Sequence, residues 1–320
     1  MTDLVTFGES LLRLSPPAGE RLATAGRFDA HVGGPESNVA VAAAQFGVES
    51  VWLSRLPDTP LGRRVVAGVR AHGVRTGVVW ADSEEARVGT YYLERGGAPR
   101  GNETRYDRAG TAMEAVAPGD LPLGVVRDAE AVLVSGATPA LSDRARETTA
   151  RLLEAAREAG TTTVFDATHH PELWTTTRAR EAYEALFSMV DVLVVPKADA
   201  VEVLGTSDRP VELAHGLATA HDFRSVVVAR GERGVLGLHD GEVHERPAFD
   251  AETCDAAGAT DALVAGFLTA RLAGEGMAAA LDRGAAAAAL ARTVAGDVLV
   301  ATPAEVARVV ERGAVADGPR

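Results

Sequence analysis

Ala131-Val-Leu-Val134 and Thr163-Val-Phe165 are two short apolar runs, and a long polar segment, residues 142–159, lies between them. Continuous apolar runs of this length are typical of strands that are covered on both faces. The intervening segment is rich in Ala, Arg, Glu and Leu, which favours a helix. A strand, a helix and a second strand in this order predict a right-handed crossover between parallel strands.

The same alternation continues on both sides of this unit. It predicts further strands at 4–7, 50–53, 192–195 and 225–229, and helices at 36–46, 59–72, 178–187 and 209–221. Beyond Leu238 the pattern becomes helical, with helices predicted at 258–272, 276–294 and 304–310. The chain is therefore predicted to be an α/β protein with a mostly parallel central sheet. Because no repeat, linker or change in composition marks a boundary, residues 1–320 are predicted to form one domain.

Two regions, 11–32 and 89–108, break this alternation. They contain short alternating stretches, such as Gly89-Thr-Tyr-Tyr-Leu-Glu94, with no helix between them. We expect antiparallel strands that are inserted at one edge of the sheet. Such strands either form a small lid over the carboxyl ends of the sheet or only widen the sheet, and we favour the lid.

The charge balance limits the possible partners. The 320 residues carry a formal net charge of −13, and Lys197 is the single lysine. An acidic surface repels nucleic-acid phosphates and anionic membranes, so neither is expected as a partner. The single cysteine, Cys254, excludes an internal disulfide and a cysteine-rich metal site. The sequence shows no basic region followed by an apolar stretch at its start and no run of about 18 apolar residues, so a cytoplasmic location is expected.

The segment Cys254-Asp-Ala-Ala-Gly-Ala-Thr-Asp261 leads directly into a predicted helix. Free backbone N–H groups at a helix N-terminus bind anions, and the helix dipole strengthens that binding. A carboxylate in the first turn, Asp261, is placed to accept a proton from a hydroxyl that attacks a phosphate. The alternative interpretation is a glycine-containing helix start with an ordinary first-turn aspartate.

Two other glycine-containing segments flank predicted elements. In Gly33-Gly34-Pro-Glu-Ser-Asn38, the paired glycines allow a ligand to approach the backbone, and Asn38 is able to bond sugar hydroxyls. Taken alone, this segment is a turn and a helix cap. Arg230-Gly-Glu-Arg-Gly234 is either a tight turn that supports a nucleotide phosphate or a simple hairpin. Because the chain has neither G-x-x-x-x-G-K-S/T nor G-x-G-x-x-G after the first strand, the commonest nucleotide-binding folds are excluded.

Together and in this order, these segments resemble the ribokinase (PfkB) family of carbohydrate kinases over nearly the whole chain. Within that family the resemblance is greatest to the 2-keto-3-deoxygluconate kinases. It rests on Gly33-Gly-Pro-Glu-Ser-Asn-Val-Ala-Val-Ala42, Tyr91, Tyr106-Asp-Arg108 with Ala109-Gly-Thr-Ala112, Ser135-Gly-Ala-Thr-Pro-Ala-Leu141, Leu173-Trp174 and Gly296-Asp297. The resemblance implies a three-layer ribokinase-like α/β sandwich with a β lid, ATP as phosphoryl donor, and Mg²⁺.

The resemblance also implies roles for individual residues. Asp261 deprotonates the acceptor hydroxyl, and the transferring phosphoryl group is held by the backbone of Gly258, Ala259 and Thr260. The residues that face a small sugar acid are Gly33, Gly34, Asn38, Tyr91, Tyr106, Arg108, His170 and Asp297. The residues near ATP are Gly231, Gly234, Asp199 and Gly258. No side chain is implied as a direct metal ligand, and a homo-oligomer that pairs through the lid is a further implication.

Three departures from the family pattern fall in the expected site. Thr260 stands where the family usually has the second glycine of Gly-Ala-Gly-Asp, and it strains the loop if that position needs φ > 0. His170, in Asp166-Ala-Thr-His-His170, stands where an arginine usually binds the substrate carboxylate. Pro196-Lys-Ala-Asp199 stands where Asn-x-x-Glu usually orders Mg²⁺ through water.

The leading hypothesis is an ATP- and Mg²⁺-dependent kinase for 2-keto-3-deoxygluconate or a related sugar acid, with Asp261 as general base. Two alternatives stay open. The first is a family kinase for a neutral sugar, because His170 replaces the carboxylate-binding arginine. The second is a degenerate member that binds sugar or nucleotide without phosphoryl transfer, because all three departures fall at the site.

Overall fold

The computed structural model describes residues 2–82, 84, 86–97 and 99–316. In chain order its strands are β1 (Thr2–Phe7), β2 (Leu11–Ser15), β3 (Asp29–Gly33), β4 (Ser50–Pro57), β5 (Arg75–Ala81), β6 (Thr90–Glu94), β7 (Glu103–Asp107), β8 (Ala129–Ser135), β9 (Thr162–Asp166), β10 (Val192–Pro196), β11 (Ser225–Ala229), β12 (Val235–His239) and β13 (Glu242–Arg246). Its helices are α1 (Pro35–Gln45), α2 (Pro60–Arg70), α3 (Leu123–Arg127), α4 (Ala137–Ala140), α5 (Asp143–Ala159), α6 (Thr176–Phe187), α7 (Lys197–Glu202), α8 (Pro210–His221), α9 (Ala259–Leu272), α10 (Met277–Ala291) and α11 (Pro303–Ala316). No described helix combines the length and the apolar composition that crossing a lipid bilayer requires.

The central sheet has nine strands in the order β13-β12-β11-β10-β9-β8-β1-β4-β5. All neighbours from β11 to β5 pair in parallel, and β12 and β13 pair antiparallel. Parallel neighbours need a crossover connection, which the helices between them supply. The prediction of a mostly parallel sheet is therefore confirmed.

Alternate residues of the central strands face opposite helical layers. In β1, Leu4 belongs to the core that α1, α9 and α10 cover, whereas Val5 belongs to the core that α5, α6 and α8 cover. Both side chains are fully buried. Because the sheet has a packed helical layer on each face, the protein is the predicted three-layer α/β sandwich.

A second sheet, which we call the lid sheet, has the strand order β3-β2-β6-β7. Its two outer pairs are antiparallel, and its central pair, β2 with β6, is parallel. The expectation of wholly antiparallel strands at an edge of the main sheet is therefore wrong. The reason is that β2 follows β1 and β6 follows β5, so both leave the carboxyl edge of a parallel sheet in the same direction. The described lid strands pair with one another and so form a sheet separate from the central sheet.

The two outermost strands of the central sheet, β5 and β13, are not predicted from the sequence. An edge strand pairs on one side only and is often polar, which accounts for β13 but not for β5, whose apolar stretch Gly77-Val-Val-Trp-Ala81 is visible in the sequence. The sequence of β13, Glu242-Val-His-Glu-Arg246, shows this composition. The expectation of helix beyond Leu238 is therefore wrong for β13, and α11 is longer than the predicted 304–310.

Candidate active site

A cavity of about 370 Å³ lies between the lid sheet and the carboxyl ends of the central strands. We call it the lid cavity. The predicted residues that line it are Gly33, Gly34, Asn38, Tyr91, Tyr106, Arg108, His170, Gly258, Thr260, Asp261 and Asp297. The fold therefore brings together, at one place, residues that lie far apart in the sequence.

Helix α9 begins at the lid cavity without a side-chain cap. Gly258 precedes it with a φ of 71°, and no described side chain accepts a hydrogen bond from the N–H groups of its first turn, of which that of Ala259 lies 3.4 Å from the carbonyl of Ala256. A Cβ at this position would overlap the backbone carbonyl of Asp297, so only glycine fits. The uncapped N–H groups and the helix dipole form a site for an anion.

Thr260 is the second residue of α9 and has a helical backbone. Among the described residues, the non-glycine residues with positive φ are Asp222 and Asp240. Thr260 therefore does not strain the loop, because the residue with the left-handed backbone conformation is Gly258. The family's second glycine is not required by the backbone at this position.

Thr260→Gly is expected to leave kcat within about three-fold of the parent value and to lower the free energy of unfolding by about 0.5 kcal/mol, because glycine is a poorer helix former than threonine. Steady-state kinetics and thermal unfolding measure both effects. A loss of kcat of about ten-fold or more would contradict this interpretation and assign the threonine side chain a part in the transfer.

Asp261 lies in the first turn of α9 and lines the lid cavity. Nδ2 of Asn38 donates a hydrogen bond of 2.7 Å to its Oδ2, and Oδ1 of Asn38 accepts one from the backbone of Gly34. Desolvation of the carboxyl raises the pKa of Asp261 to about 8, while the Asn38 hydrogen bond acts in the opposite direction. A base whose pKa is near the working pH is well suited to accept a proton from a hydroxyl.

Glu36 is a fully buried carboxyl in the first turn of α1 and also lines the lid cavity. Its Oε1 accepts hydrogen bonds from the backbone and hydroxyl of Ser135 and from the hydroxyl of Thr138, at 2.7 to 2.9 Å. Burial raises the pKa of Glu36. Glu36 is not predicted from the sequence, although an acid at the start of an Ala- and Val-rich helix is visible there.

The segment at the end of β9 carries the second departure from the family pattern. The Oδ1 of Asp166 accepts bonds from the backbone and hydroxyl of Thr168, and burial raises the pKa of Asp166 to about 6. Nδ1 of His170 lies 3.4 Å from Oε1 of Glu172. The other ring nitrogen of His170, Nε2, is buried and has no hydrogen-bond partner in the described chain. His170 therefore presents an unpaired ring nitrogen at the lid cavity.

The lid side of the cavity carries a cation and two stacked rings, each of which contacts a carboxylate. Nη2 of Arg108 lies 2.6 Å from Oε2 of Glu9, and both side chains are largely buried. The rings of Tyr91 and Tyr106 stack with centroids 5.3 Å apart, and the Tyr91 hydroxyl donates to Oδ1 of Asp297. Glu9 is not predicted from the sequence, because its partner lies 99 residues away.

A second cavity, of about 110 Å³, lies on the other side of the start of α9. We call it the hairpin cavity, because the β11–β12 hairpin forms one wall. Its predicted lining residues are Gly231, Gly234, Ala259 and Thr260. Thr260 lines both cavities, so the start of α9 separates them. Asp199, which was expected near ATP, lies outside the described lining of both cavities, and its Oδ2 accepts a hydrogen bond from the backbone of His169.

Within the described ranges, no three His, Cys, Asp or Glu side chains are grouped so as to hold a metal ion. The adjacent histidines contact other groups, since Nε2 of His169 lies 3.2 Å from the carbonyl of Trp174 and His170 faces Glu172. A divalent cation at this site would therefore depend on oxygen atoms of a bound phosphate together with single carboxylates.

The sequence matches one family model along most of its length: residues 1–304 match the pfkB family carbohydrate kinase. The chain belongs to this family. It is a carbohydrate kinase, that is, a phosphotransferase with a hydroxyl group as acceptor. The resemblance to this family is therefore confirmed.

Relatives and solved structures agree with this assignment. The 2-dehydro-3-deoxygalactonokinase of Haloferax volcanii is 50% identical over 311 residues, covering 97% of this kinase and 97% of the relative. The 2-dehydro-3-deoxygluconokinase of Thermoproteus tenax is 31% identical over 300 residues, covering 93% and 90%. The crystal structure of 2-dehydro-3-deoxygluconokinase from Thermotoga maritima has a TM-score of 0.93 at 28% identity, covering 97% and 98%. Kinases of keto-deoxy sugar acids are thus among the proteins most similar to this kinase, as predicted.

Proposed function

We propose that this kinase transfers a phosphoryl group from ATP to a hydroxyl of a 2-keto-3-deoxy sugar acid, with Asp261 as general base. The observation that carries the proposal is a set of buried polar atoms that have no hydrogen-bond partner in the described protein and belong to residues lining the lid cavity. They are Oε1 of Glu9, Oε2 of Glu36, Nε of Arg108, Nε2 of His170 and Oδ2 of Asp297. Buried polar atoms are normally paired, so this cavity suits a ligand with many hydroxyl and carboxylate oxygens.

The chemistry at the acceptor hydroxyl follows from the start of α9. Asp261 accepts the proton of the attacking hydroxyl, and Asn38 holds its carboxyl in place. The uncapped N–H groups that follow Gly258 stabilise the negative charge that develops on the transferring group. Phosphoryl transfer depends mainly on positioning and charge stabilisation, so these groups account for the protein's part in the reaction.

The carboxylate of a sugar acid requires a cation in a cavity that is otherwise rich in acids. Arg108 is the fixed cation among the described lining residues, and Glu9 orients its guanidinium. The free Nε2 of His170 lies beside the same region, where it accepts a bond from a neighbouring hydroxyl in the neutral ring and donates to the carboxylate in the imidazolium. We therefore assign the carboxylate end of the acceptor to Arg108 and His170.

The hairpin cavity is the proposed place of the nucleotide. The residues that would lie beside its phosphates are Gly231, Gly234, Ala259 and Thr260 at the helix start, whereas the largely apolar remainder of the lining, including Phe249 and Leu263, suits the base. ATP supplies the phosphoryl group when bound, and Mg²⁺ neutralises charge on its phosphates. The proposed acceptor and donor sites then meet at Thr260.

The names of the relatives guide the choice of acceptors. The relative at 50% identity is named for the galactonate form, and the relative at 31% for the gluconate form. We accordingly expect this kinase to turn over 2-keto-3-deoxygalactonate as well as 2-keto-3-deoxygluconate.

A coupled assay of ADP release tests the proposed function. The acceptors are the two keto-deoxy sugar acids, ribose, fructose and a nucleoside, each with ATP and Mg²⁺. We expect kcat/KM for at least one sugar acid to exceed that for the neutral compounds by about 100-fold, which corresponds to about one paired ionic contact. A preference for a neutral sugar, or no turnover with any acceptor, would overturn the proposal.

Arg108→Met is expected to raise KM for the sugar acid by about 10- to 100-fold, because a hydrogen bond to a charged group contributes about 1.5–3 kcal/mol. The effect on kcat is expected to be smaller, because Arg108 lies at the carboxylate end and not at the start of α9. The matched control is Arg105→Met on the same lid segment, where the arginine is exposed and pairs with Glu103. An equal KM in Arg108→Met and the parent would refute the assignment.

We also propose that residues 1–320 form a single domain. Two copies of the chain would pair through the lid sheet. Its edge strands, β3 and β7, pair on one side only, and Phe28 beside β3 is 39% exposed. Phe28 contacts the ring of Tyr92 edge to face, so an apolar partner would extend an existing aromatic pair. Light scattering of the parent and of Phe28→Ser tests this proposal, since loss of a dimer only in the variant would support it.

A further inference from the structure

Arg13 is a fully buried arginine on strand β2 of the lid sheet. Its Nε donates a hydrogen bond of 2.8 Å to the hydroxyl of Ser15. Its Nη2 donates to Oδ2 of Asp255, and its Nη1 lies 3.5 Å from Oδ2 of Asp297. One guanidinium thus contacts two carboxylates that come from different loops of the main body.

The first of these carboxylates shapes the approach to the anion site. Oδ1 of Asp255 accepts a hydrogen bond of 3.1 Å from the backbone N–H of Ala257, one residue before Gly258. Its Oδ2 accepts a bond of 3.3 Å from the backbone of Gly296. The carboxyl of Asp255 therefore holds the turn from which the uncapped start of α9 emerges.

The second carboxylate lies at the acceptor side. Asp297 lines the lid cavity and accepts a hydrogen bond from the hydroxyl of Tyr91, on strand β6 of the lid. Its backbone carbonyl is the group that a Cβ at Gly258 would strike. A shift of Asp297 would therefore change both the acceptor contact and the packing against the start of α9.

The charges explain why this arrangement is sensitive to Arg13. The side chains of Asp255 and Asp297 are almost completely buried, and Arg13 is the cation within reach of both. A second arginine, Arg95, approaches only Asp255, at 4.0 Å, and is partly exposed. Removing one partner of a buried ion pair leaves the other charge uncompensated, so loss of the guanidinium would move both carboxylates.

We propose that Arg13 is a positioning residue for phosphoryl transfer, because it fixes the acceptor contact Asp297 and the turn at Asp255 relative to each other. The proposal rests on the proposed function. Its consequence is that a single side chain of the lid aligns the acceptor hydroxyl with the site of the transferring group. A displacement of about 1 Å between such groups is enough to lower a rate by about 100-fold.

Arg13→Lys tests the proposal, because lysine retains the charge but lacks the planar fork that contacts two carboxylates. We expect kcat with the sugar acid to fall by about 10-fold or more and KM for the sugar acid to rise by about 5-fold, while KM for ATP stays within about 2-fold. The rates are measured well below the unfolding temperature of the variant, with circular dichroism to show that it is folded. A merely structural role would lower the unfolding temperature and leave these constants unchanged.

Arg95→Lys is the matched control, since Arg95 pairs with the same Asp255 but does not contact Asp297. We expect its kinetic constants to lie within about 2-fold of the parent values, as for a weak peripheral pair. A folded Arg13→Lys variant with parent kcat and KM would overturn the inference. Equal losses of kcat in Arg13→Lys and Arg95→Lys would also overturn the inference, because the contact to Asp297, which only Arg13 makes, would then play no part.

Hydrolysis of ATP without acceptor separates this inference from the proposed function. If the parent turns over no sugar acid, the proposed function fails, but slower ATP hydrolysis in Arg13→Lys still supports the link from Arg13 to the turn at Asp255. Unchanged hydrolysis overturns that link. If Arg13→Lys does not fold, Asp255→Asn replaces it, because it keeps the shape of the side chain and removes one charge of the pair. The same loss of hydrolysis supports the inference, and parent-like hydrolysis overturns it.

Discussion

Asp261→Asn is expected to lower kcat by about 1,000-fold, because general base catalysis by a positioned side chain contributes about 10²- to 10⁴-fold. The amide keeps the size of the carboxyl, and its oxygen still accepts the hydrogen bond from Nδ2 of Asn38. The variant therefore removes the base with little change of geometry. The measurement is the coupled ADP assay at saturating ATP and sugar acid.

The same substitution is expected to stabilise the free protein at neutral pH. The pKa of Asp261 is raised from its ordinary value of 3.8 to about 8, chiefly by desolvation. Between these pH values the folded protein holds a proton that the unfolded chain has released, so this carboxyl lowers the free energy of unfolding as pH rises from about 4 to about 8. An asparagine has no such dependence, and the unfolding temperature of Asp261→Asn should exceed that of the parent by an amount that grows with pH over this range.

Asp143→Asn is the control for both measurements, since Asp143 also lies in the first turn of a helix but is exposed. Its kcat should equal that of the parent, and its unfolding temperature should show no comparable gain with pH. A kcat within about 10-fold of the parent for Asp261→Asn would exclude this residue as the base.

Gly258→Ala is expected to lower kcat by about 100-fold or more and to destabilise the fold by about 1–3 kcal/mol. The first effect arises because the added Cβ meets the carbonyl of Asp297 and displaces the N–H groups at the start of α9, and loss of one such donor costs about 10²- to 10³-fold in other enzymes. The second arises because alanine is strained at a φ of 71°. Kinetics and chemical denaturation measure the two effects separately.

The other end of the same helix supplies the control. Gly274 has a φ of 78°, similar to that of Gly258, and a Cβ there would meet nothing within 4 Å. Gly274→Ala should therefore show the conformational cost, about 1 kcal/mol, with kcat unchanged. If both alanine variants lose kcat equally, the start of α9 has no special role in the transfer.

The sequence predicts the parts of this protein that rest on local patterns. The six strands predicted from apolar runs lie within β1, β4, β8, β9, β10 and β11. The segment that ends at Asp261 is recognisable because a glycine and small residues lead into a helix whose first turn carries a carboxylate. Edge strand β13 is missed because pairing on one side does not require a continuous apolar run.

The parts that the sequence does not predict depend on partners far apart in the chain. Arg13 and Asp255 are separated by 242 residues, and Glu9 and Arg108 by 99. A buried arginine and an exposed arginine look alike in one sequence, because only the fold places carboxylates beside one of them. The backbone conformation of Thr260 is also not predictable from the sequence, because it depends on whether the helix begins before or after that residue. In the structure α9 begins at Ala259, so Thr260 is helical.

The wall between the two cavities bears on how kinases of this kind can diversify. Thr260 is the residue common to the described linings of the lid cavity and the hairpin cavity. Changes at positions such as His170 therefore act on the proposed acceptor cavity without contact to the proposed nucleotide cavity, and the free-energy effects of substitutions in the two cavities should add. If the proposed sites are right, a lineage can exchange one sugar acid for another through a few substitutions under the lid, while its phosphate donor site stays unchanged.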